Sequence, residues 1–194
     1  MDWEGLYQQG DTGWDRGAIS PALQYWLDRG DFKTGQRILI PGCGRGYEVI
    51  ALAKLGFDVT ALDLAPTAID AVKQGLQEAG VSATLVCSDL FDYQPQQRFD
   101  AIYEQTCLCA LPVEQRKAYE QSLFTWLKPK GVLCLSMMQT GEQGGPPFHC
   151  DWLDMKALFA AGRWQWQQEP PFFIARPSGV RFELGFALHR EGDE

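Results

Sequence analysis

The stretch Arg37-Ile38-Leu39-Ile40-Pro41-Gly42-Cys43-Gly44-Arg45-Gly46-Tyr47 decides the fold. Its first four residues form a short, mostly apolar run, the pattern of a strand buried on both faces. The run ends in a loop with glycine at alternate positions. A helical pattern then starts at Tyr47 and reaches Leu55 before Gly56, a natural C-cap. Strand, glycine loop and helix in this order open a parallel sheet with crossover helices.

The alternation continues on both sides. Upstream, Pro21–Arg29 reads as a helix with Ser20 as N-cap and Pro21 at the first helical position. Downstream, FDVTALD (57–63) is a strand and Pro66–Ala79 a helix closed by Gly80. ATLVCSD (83–89), FDAIYE (99–104) and GVLCLSMM (131–138) are further strands. A helix from about Val113 to Leu127, stopped before Pro129, separates the last two, and a final helix reads Leu153–Ala160. PFFIAR (171–176) and VRFELGFALHR (180–190) flank Pro177-Ser178-Gly179 and are expected to pair as a hairpin. The expected fold is α/β: a mostly parallel sheet, helices on both faces, and an antiparallel C-terminal hairpin at one edge. One domain is expected over residues 1–194, with 1–34 as an N-terminal lid and helix and 35–194 as the sheet core.

Composition excludes several function classes. With 194 residues, 45% of them apolar and 22% charged, the chain can bury a large core, and disorder of the whole is excluded. Seventeen basic against 25 acidic residues leave a net charge of −8, with no basic cluster to reverse it locally. Neither nucleic acid nor an anionic membrane is an expected partner. No apolar run approaches the ~18 residues of a membrane span. The opening MDWEGLYQQG has no basic and no apolar signal region, so a cytoplasmic location is expected. Six cysteines stand at 43, 87, 107, 109, 134 and 150, several inside apolar runs such as LVCSD and VLCLSMM. Buried free thiols in a reducing compartment explain them better than a disulfide framework. Cys107-x-Cys109 has the wrong spacing for a zinc knuckle and no second pair, so no metal is expected.

A sheet of this kind binds ligands at the carboxyl ends of its strands. That places the loops after Ile40, Leu62, Ser88, Tyr103 and Met138 around one site. The glycine loop does not complete the dinucleotide pattern G-x-G-x-x-G. Counted from Gly42 and Gly44 the third glycine falls on Tyr47, and counted from Gly44 and Gly46 it falls on Val49. No Gly-Lys-Ser/Thr is present for a P-loop. Asp63 closes the second strand, where a carboxylate can accept both hydroxyls of a ribose. A glycine loop with an acidic strand end suits a nucleoside without a pyrophosphate, and S-adenosylmethionine is that molecule. The alternative is a βα turn whose glycines serve chain geometry, with Asp63 capping the next helix. In the third loop, Asp89 is placed to accept from an adenine amino group while Leu90 covers the ring; a turn or N-cap role for Asp89 is the other reading.

Beyond these elements, Trp3, Tyr7 and Thr12-Gly13-Trp14-Asp15-Arg16-Gly17, followed by Pro41-Gly42-Cys43-Gly44-Arg45-Gly46-Tyr47-Glu48-Val49, resemble the thiopurine/thiol methyltransferase family. Asp63 in ALDLAPTAID, YEQTCLCALP (103–112) and GGPPFHCD (144–151) continue the match over nearly the whole chain. The resemblance implies a Rossmann-like class I S-adenosylmethionine-dependent methyltransferase with a seven-stranded sheet. It also implies a thiol, thiopurine, halide, thiocyanate or metalloid acceptor. Trp3, Tyr7 and Trp14 match positions over the cofactor; the family often carries Trp where this chain has Tyr7. Gly42 and Asp63 match the methionine-side and ribose positions. Glu104, Gln105 and Thr106 match the loop between the methionine end and the acceptor. Arg116 matches an arginine that can reach the acceptor, and Phe148 a position that is Tyr in the halide and thiocyanate branch.

Methyl transfer from a sulfonium is an in-line displacement in which the nucleophile must come within ~3–3.5 Å of the methyl carbon, with water excluded. A thiolate needs no protein nucleophile and no general base. Of the two histidines, His189 ends a strand and is expected to be structural. His149 follows Phe148 and is open to two roles, wall of the pocket or base. Arg116 lies among Glu114 and Glu120, so spacing alone reads it as a solvated helical face. Trp3 and Trp14 either pin the terminus or cover a cation. The expected function is methyl transfer from S-adenosylmethionine to a small-molecule acceptor, a thiol sulfur first. The alternatives are a thiopurine, halide or metalloid acceptor, a nicotinamide-dependent oxidoreductase, and a cofactor-binding module without catalysis.

Overall fold

Among the described residues, eight strands form a single sheet in the order β3-β2-β1-β4-β5-β8-β6, with β7 also paired to β8. These are β1 (Arg37–Pro41), β2 (Asp58–Asp63), β3 (Thr84–Cys87), β4 (Phe99–Gln105), β5 (Leu127–Gln139), β6 (Trp164–Trp166), β7 (Phe172–Ala175) and β8 (Phe182–Arg190). The computed structural model describes residues 1–176 and 179–192. The expected hairpin turn includes Pro177 and Ser178, which lie outside the described residues; its two strands, β7 and β8, pair antiparallel from Phe172↔Gly185 to Ala175↔Phe182.

The first five strands are parallel, and β8 joins β5 antiparallel. Sheet residues alternate between two cores, as two-sided burial requires. Leu39, Leu62, Ile102, Leu133 and Leu135 join a cluster with Trp126, Phe159 and Trp164. Ile38, Ile40, Val59, Ala61, Ala101 and Tyr103 join the opposite cluster with Trp26, Phe32 and Phe57. The chain runs outward from β1 to β2 and β3, then returns to place β4 on the other side of β1. The carboxyl ends of β1 and β4 therefore flank the point where strand order reverses, the place where such sheets bind ligands.

The helices are α1 (Trp3–Gln9), α2 (Pro21–Arg29), α3 (Tyr47–Lys54), α4 (Pro66–Ala79), α5 (Arg116–Trp126) and α6 (Trp152–Leu158), with 3₁₀ turns at Leu108–Ala110 and Val113–Gln115. Ser20 caps α2 by accepting the Ala22 N–H, and Gly80 closes α4 in the left-handed conformation, as expected. Four features depart from the sequence reading. The sheet has eight strands rather than seven, because Trp164–Trp166 pairs with the end of β8. The helix read to Leu127 ends at Trp126, and Leu127 already pairs with Phe99. A register shift then carries Lys128–Lys130 out of the ladder before Val132 meets Ala101, so Pro129 costs no ladder bond. Finally, α1 escapes the hydrophobic pattern because seven residues bury only Tyr7, although its Asp2 N-cap and Gly10 C-cap are both in the sequence.

Candidate active site

Between the ends of β1 and β4 lies a cleft of about 90 Å³. Its floor is the glycine loop. Gly42 and Gly44 have φ of 59° and 53°, in the left-handed region that glycine enters without a Cβ penalty. The approach is also tight: a Cβ on Gly42 would lie 2.8 Å from Cys107 Sγ, and one on Gly44 would lie 3.0 Å from the Tyr7 hydroxyl. The Gly44 N–H donates to Asp63 Oδ2 at 2.9 Å, and the Ala65 N–H to Asp63 Oδ1 at 3.0 Å. Burial pushes the Asp63 carboxyl above its ordinary value against these backbone donors. The Leu64 N–H also bears on this carboxylate, so of its roughly four lone-pair sites at least one stays open to a further donor. The capping reading of Asp63 and the ligand reading are therefore compatible.

The roof is the amino-terminal segment. Trp14 meets Trp3 and Tyr7 edge-on, at 5.2 and 5.6 Å between ring centroids. Trp14 Nε1 donates to the Tyr7 hydroxyl at 3.4 Å. Three sets of bonds hold this segment down. Glu4 accepts the Thr67 N–H and hydroxyl at the start of α4. Asp15 pairs with Arg45 of the glycine loop at 2.8 Å. Arg16 and Arg176 both reach the fully buried Glu183 of β8, at 3.4 and 2.9 Å, and Arg176 also donates to the Trp14 carbonyl.

The third wall is the turn after β4. Gln105 and Thr106 line the cleft. Thr106 has a φ of 61°, an outlier for a β-branched residue that costs of order ~1–3 kcal/mol and persists only where neighbours impose it. Glu104 lies differently: its side chain is fully buried, turned to the Leu108 N–H and the Tyr119 hydroxyl, and it does not line the cleft.

The expected acceptor residues do not line this cleft but adjoin the β4 turn, where the Phe148 N–H donates to the Cys109 carbonyl at 2.7 Å. Arg116 is 4% exposed, so the reading of a solvated helical face is corrected: its position at the start of α5 faces the 148–149 segment. Its guanidinium donates to the carbonyls of His149 and Phe148, at 3.1 and 3.4 Å, while Nε is buried without a partner. No carboxylate pairs with it among the described residues. His149 Nδ1 accepts the N–H groups of Thr140 and Gly141, at 3.1 and 3.3 Å. Nδ1 is thereby occupied as an acceptor, which leaves Nε2 as the nitrogen placed to donate. His189 is exposed on β8 opposite Val132.

In the loop after β3, Asp89 accepts the Phe91 N–H at 2.8 Å, the turn role read from the sequence, and Leu90 is half-buried beside it; neither lines the cleft. All six cysteines are free. Five are buried; Cys87 is exposed, contrary to the burial expected of LVCSD, because it ends the edge strand β3. Among the described residues no three His, Cys, Asp or Glu converge on a metal position, and no helix is long and apolar enough to cross a membrane. The sequence reading missed Asp15, Arg16, Arg45, Tyr47, Glu48 and Tyr103, which also line the cleft. Asp15 and Arg16 stood in the Trp-Asp-Arg-Gly motif, and Arg45 between two loop glycines; only their pairing in space was hidden.

Fold and cleft define a class I S-adenosylmethionine-dependent methyltransferase architecture. The solved structure of 1,6-didemethyltoxoflavin N1-methyltransferase from Burkholderia thailandensis shares it, with a TM-score of 0.78 at 20% identity, over 98% of this chain and 86% of that one. Residues 1–170 match the thiopurine S-methyltransferase family, and the chain belongs to it. Among relatives, thiocyanate methyltransferase 1 of Brassica oleracea is 34% identical over 149 residues, 75% of this chain and 66% of that protein. Thiopurine S-methyltransferase of Xanthomonas axonopodis pv. citri is 30% identical over 186 residues, 86% of this chain and 84% of that protein. The chain spans about two thirds of the length of the plant relative.

Proposed function

We propose that the protein transfers the methyl group of S-adenosylmethionine to a small soft nucleophile, a thiol sulfur before any other. The observation that carries this reading is the Asp63–Gly44 bond at the point of strand reversal, with the Tyr7 and Trp14 rings lining the same cleft as Gly44 and Trp3 packed edge-on against Trp14. Asp63 holds the ribose hydroxyls, the main chain at Gly42 and Gly44 admits the methionine side, Gln105 borders it, and Asp89 and Leu90 take the adenine. The three aromatic rings face the sulfonium side, where a cation is favoured.

Two features support a thiol. His149 Nδ1 is already engaged, the cleft carboxylates Asp15 and Glu48 hold Arg45 and the Ser20 N–H, and burial raises the Cys43, Cys107 and Cys109 thiols. A nucleophile that ionises by itself suits this arrangement. Arg116, buried with no carboxylate partner among the described residues, brings positive charge beside the apolar Phe148, next to the β4 turn. Both suit a polarizable anion.

The protein's work on this reading is orientation and exclusion of water. Purified protein incubated with S-adenosylmethionine and thiols, sulfide, halides, thiocyanate and thiopurines tests it, with S-adenosylhomocysteine as the readout. Turnover is expected with thiols above the rest. Halide turnover without thiol turnover would reassign the acceptor.

A further inference from the structure

The turn that leaves β4 is braced from beneath. Glu104 Oε1 accepts the Leu108 N–H at 2.5 Å and the Tyr119 hydroxyl at 3.4 Å. The Cys109 thiol donates to the Thr106 carbonyl at 3.0 Å. Held between these bonds, Thr106 keeps its left-handed backbone and faces the cleft with Gln105. On the far side of the same turn, Cys107 Sγ packs onto Gly42 with no space for a methyl group. The position of the turn is thus passed directly to the glycine loop.

Glu104 Oε2 is buried and accepts or donates nothing. A proton on that oxygen leaves Oε1 free to accept both bonds; an ionised carboxylate would leave an anion with an unsatisfied oxygen in an apolar core. The Leu108 and Cys107 N–H groups and the Tyr119 hydroxyl offset that cost only in part. The titratable groups that face it are Tyr119 from α5, Cys107 and Cys109 from its own turn, Cys150 from the segment after β5, and Glu183 from β8, and none of these is a cation. Arg116 acts on Cys150, and Glu183 is itself held by Arg16 and Arg176. Burial accordingly pushes the Glu104 carboxyl up to about 8.

We propose that Glu104 is a positioning residue: its uncharged carboxyl holds the 105–109 turn against the glycine loop, and turnover depends on that hold rather than on any contact of Glu104 with cofactor or acceptor. The proposal rests on the methyltransferase reading above. It gives Glu104 a task distinct from the cofactor contact expected from sequence.

The test is a pH profile of the full chain and two variants, read alongside the Leu108 amide resonance, which needs no turnover. In the wild type, kcat should fall about tenfold per pH unit above a midpoint near 8, the same for every acceptor. The Leu108 amide should titrate with that midpoint. Glu104→Gln keeps an accepting oxygen and cannot ionise, so it should retain at least about a third of wild-type kcat at pH 7 and lose both the fall and the titration. Glu104→Ala should lose on the order of tenfold in kcat. An alkaline fall that persists in Glu104→Gln, or a Leu108 amide that does not titrate in the wild type, overturns the proposal. If no acceptor is methylated at all, the methyltransferase reading falls, and the Leu108 titration alone decides the hold.

Discussion

Asp63 and Gly44 are joined across the ends of adjacent strands, the Gly44 N–H donating to Asp63 Oδ2 at 2.9 Å. One carboxylate thereby sets the shape of the glycine loop and stands at the proposed ribose position. Its loss has two consequences that can be separated. Asp63→Ala removes the acceptor of two ribose hydroxyls and should weaken S-adenosylhomocysteine binding by roughly 1.5–3 kcal/mol. Calorimetric titration checks this, and unchanged affinity in a folded variant removes Asp63 from the site.

The amino-terminal segment should move when ligand enters. A cleft of about 90 Å³ is well below the ~300–1,000 Å³ of ligand pockets, so residues 1–16 must give way and then close. Deleting residues 1–16 should abolish turnover while the far-ultraviolet circular dichroism of the sheet persists. In the intact chain, S-adenosylhomocysteine should slow proteolysis of this segment several-fold. Equal cleavage with and without ligand would leave Trp3, Tyr7 and Trp14 as a structural tail.

Much of this was legible in the sequence because strand, glycine loop and helix are local patterns. Ser20, Gly80 and the run Arg37–Ile40 state their roles through neighbours a few residues away. Asp63 could be read from its place at a strand end. Arg116 could not: its surroundings in the chain are polar, and only the packing of α5 against Phe148 and His149 buries it. Glu183 was likewise invisible as the anchor of Arg16, 167 residues earlier, since such a pair exists only once the sheet is closed. Cys87 shows the converse error, where an apolar run implied burial that an edge strand does not provide.

Stability should decline as pH rises through the middle range. The folded protein keeps the Glu104 proton to about 8, whereas an unfolded chain releases it near the ordinary value of 4.5. Unfolding therefore releases a proton in this window, and each pH unit lowers stability by at most about 1.4 kcal/mol from this group. Burial moves Glu48 and Asp63 in the same direction. Urea midpoints measured from pH 5 to 7.5 should fall, and fall less steeply in Glu104→Gln. Identical slopes would show that Glu104 is ionised in the folded state.

The rate at subsaturating thiol should rise with pH until the acceptor's own pKa is passed, because the thiolate enters already ionised. Changing to a more acidic thiol should move that inflection down by about the difference between the two pKa values. The alkaline fall set by Glu104 should stay in place. An inflection fixed near ~6.5 across three thiols would point instead to a histidine base.

The central claim is methyl transfer to sulfur, and one measurement meets it directly. The protein is incubated with S-adenosylmethionine carrying a trideuterated methyl group and a single small thiol, and both products are quantified by mass spectrometry. The account predicts a trideuteromethyl thioether and S-adenosylhomocysteine in equal amounts, with both lowered roughly ten- to 150-fold when Asp63→Ala replaces the wild type at low cofactor. S-adenosylhomocysteine without thioether, or no product above the protein-free blank with any thiol, would contradict it.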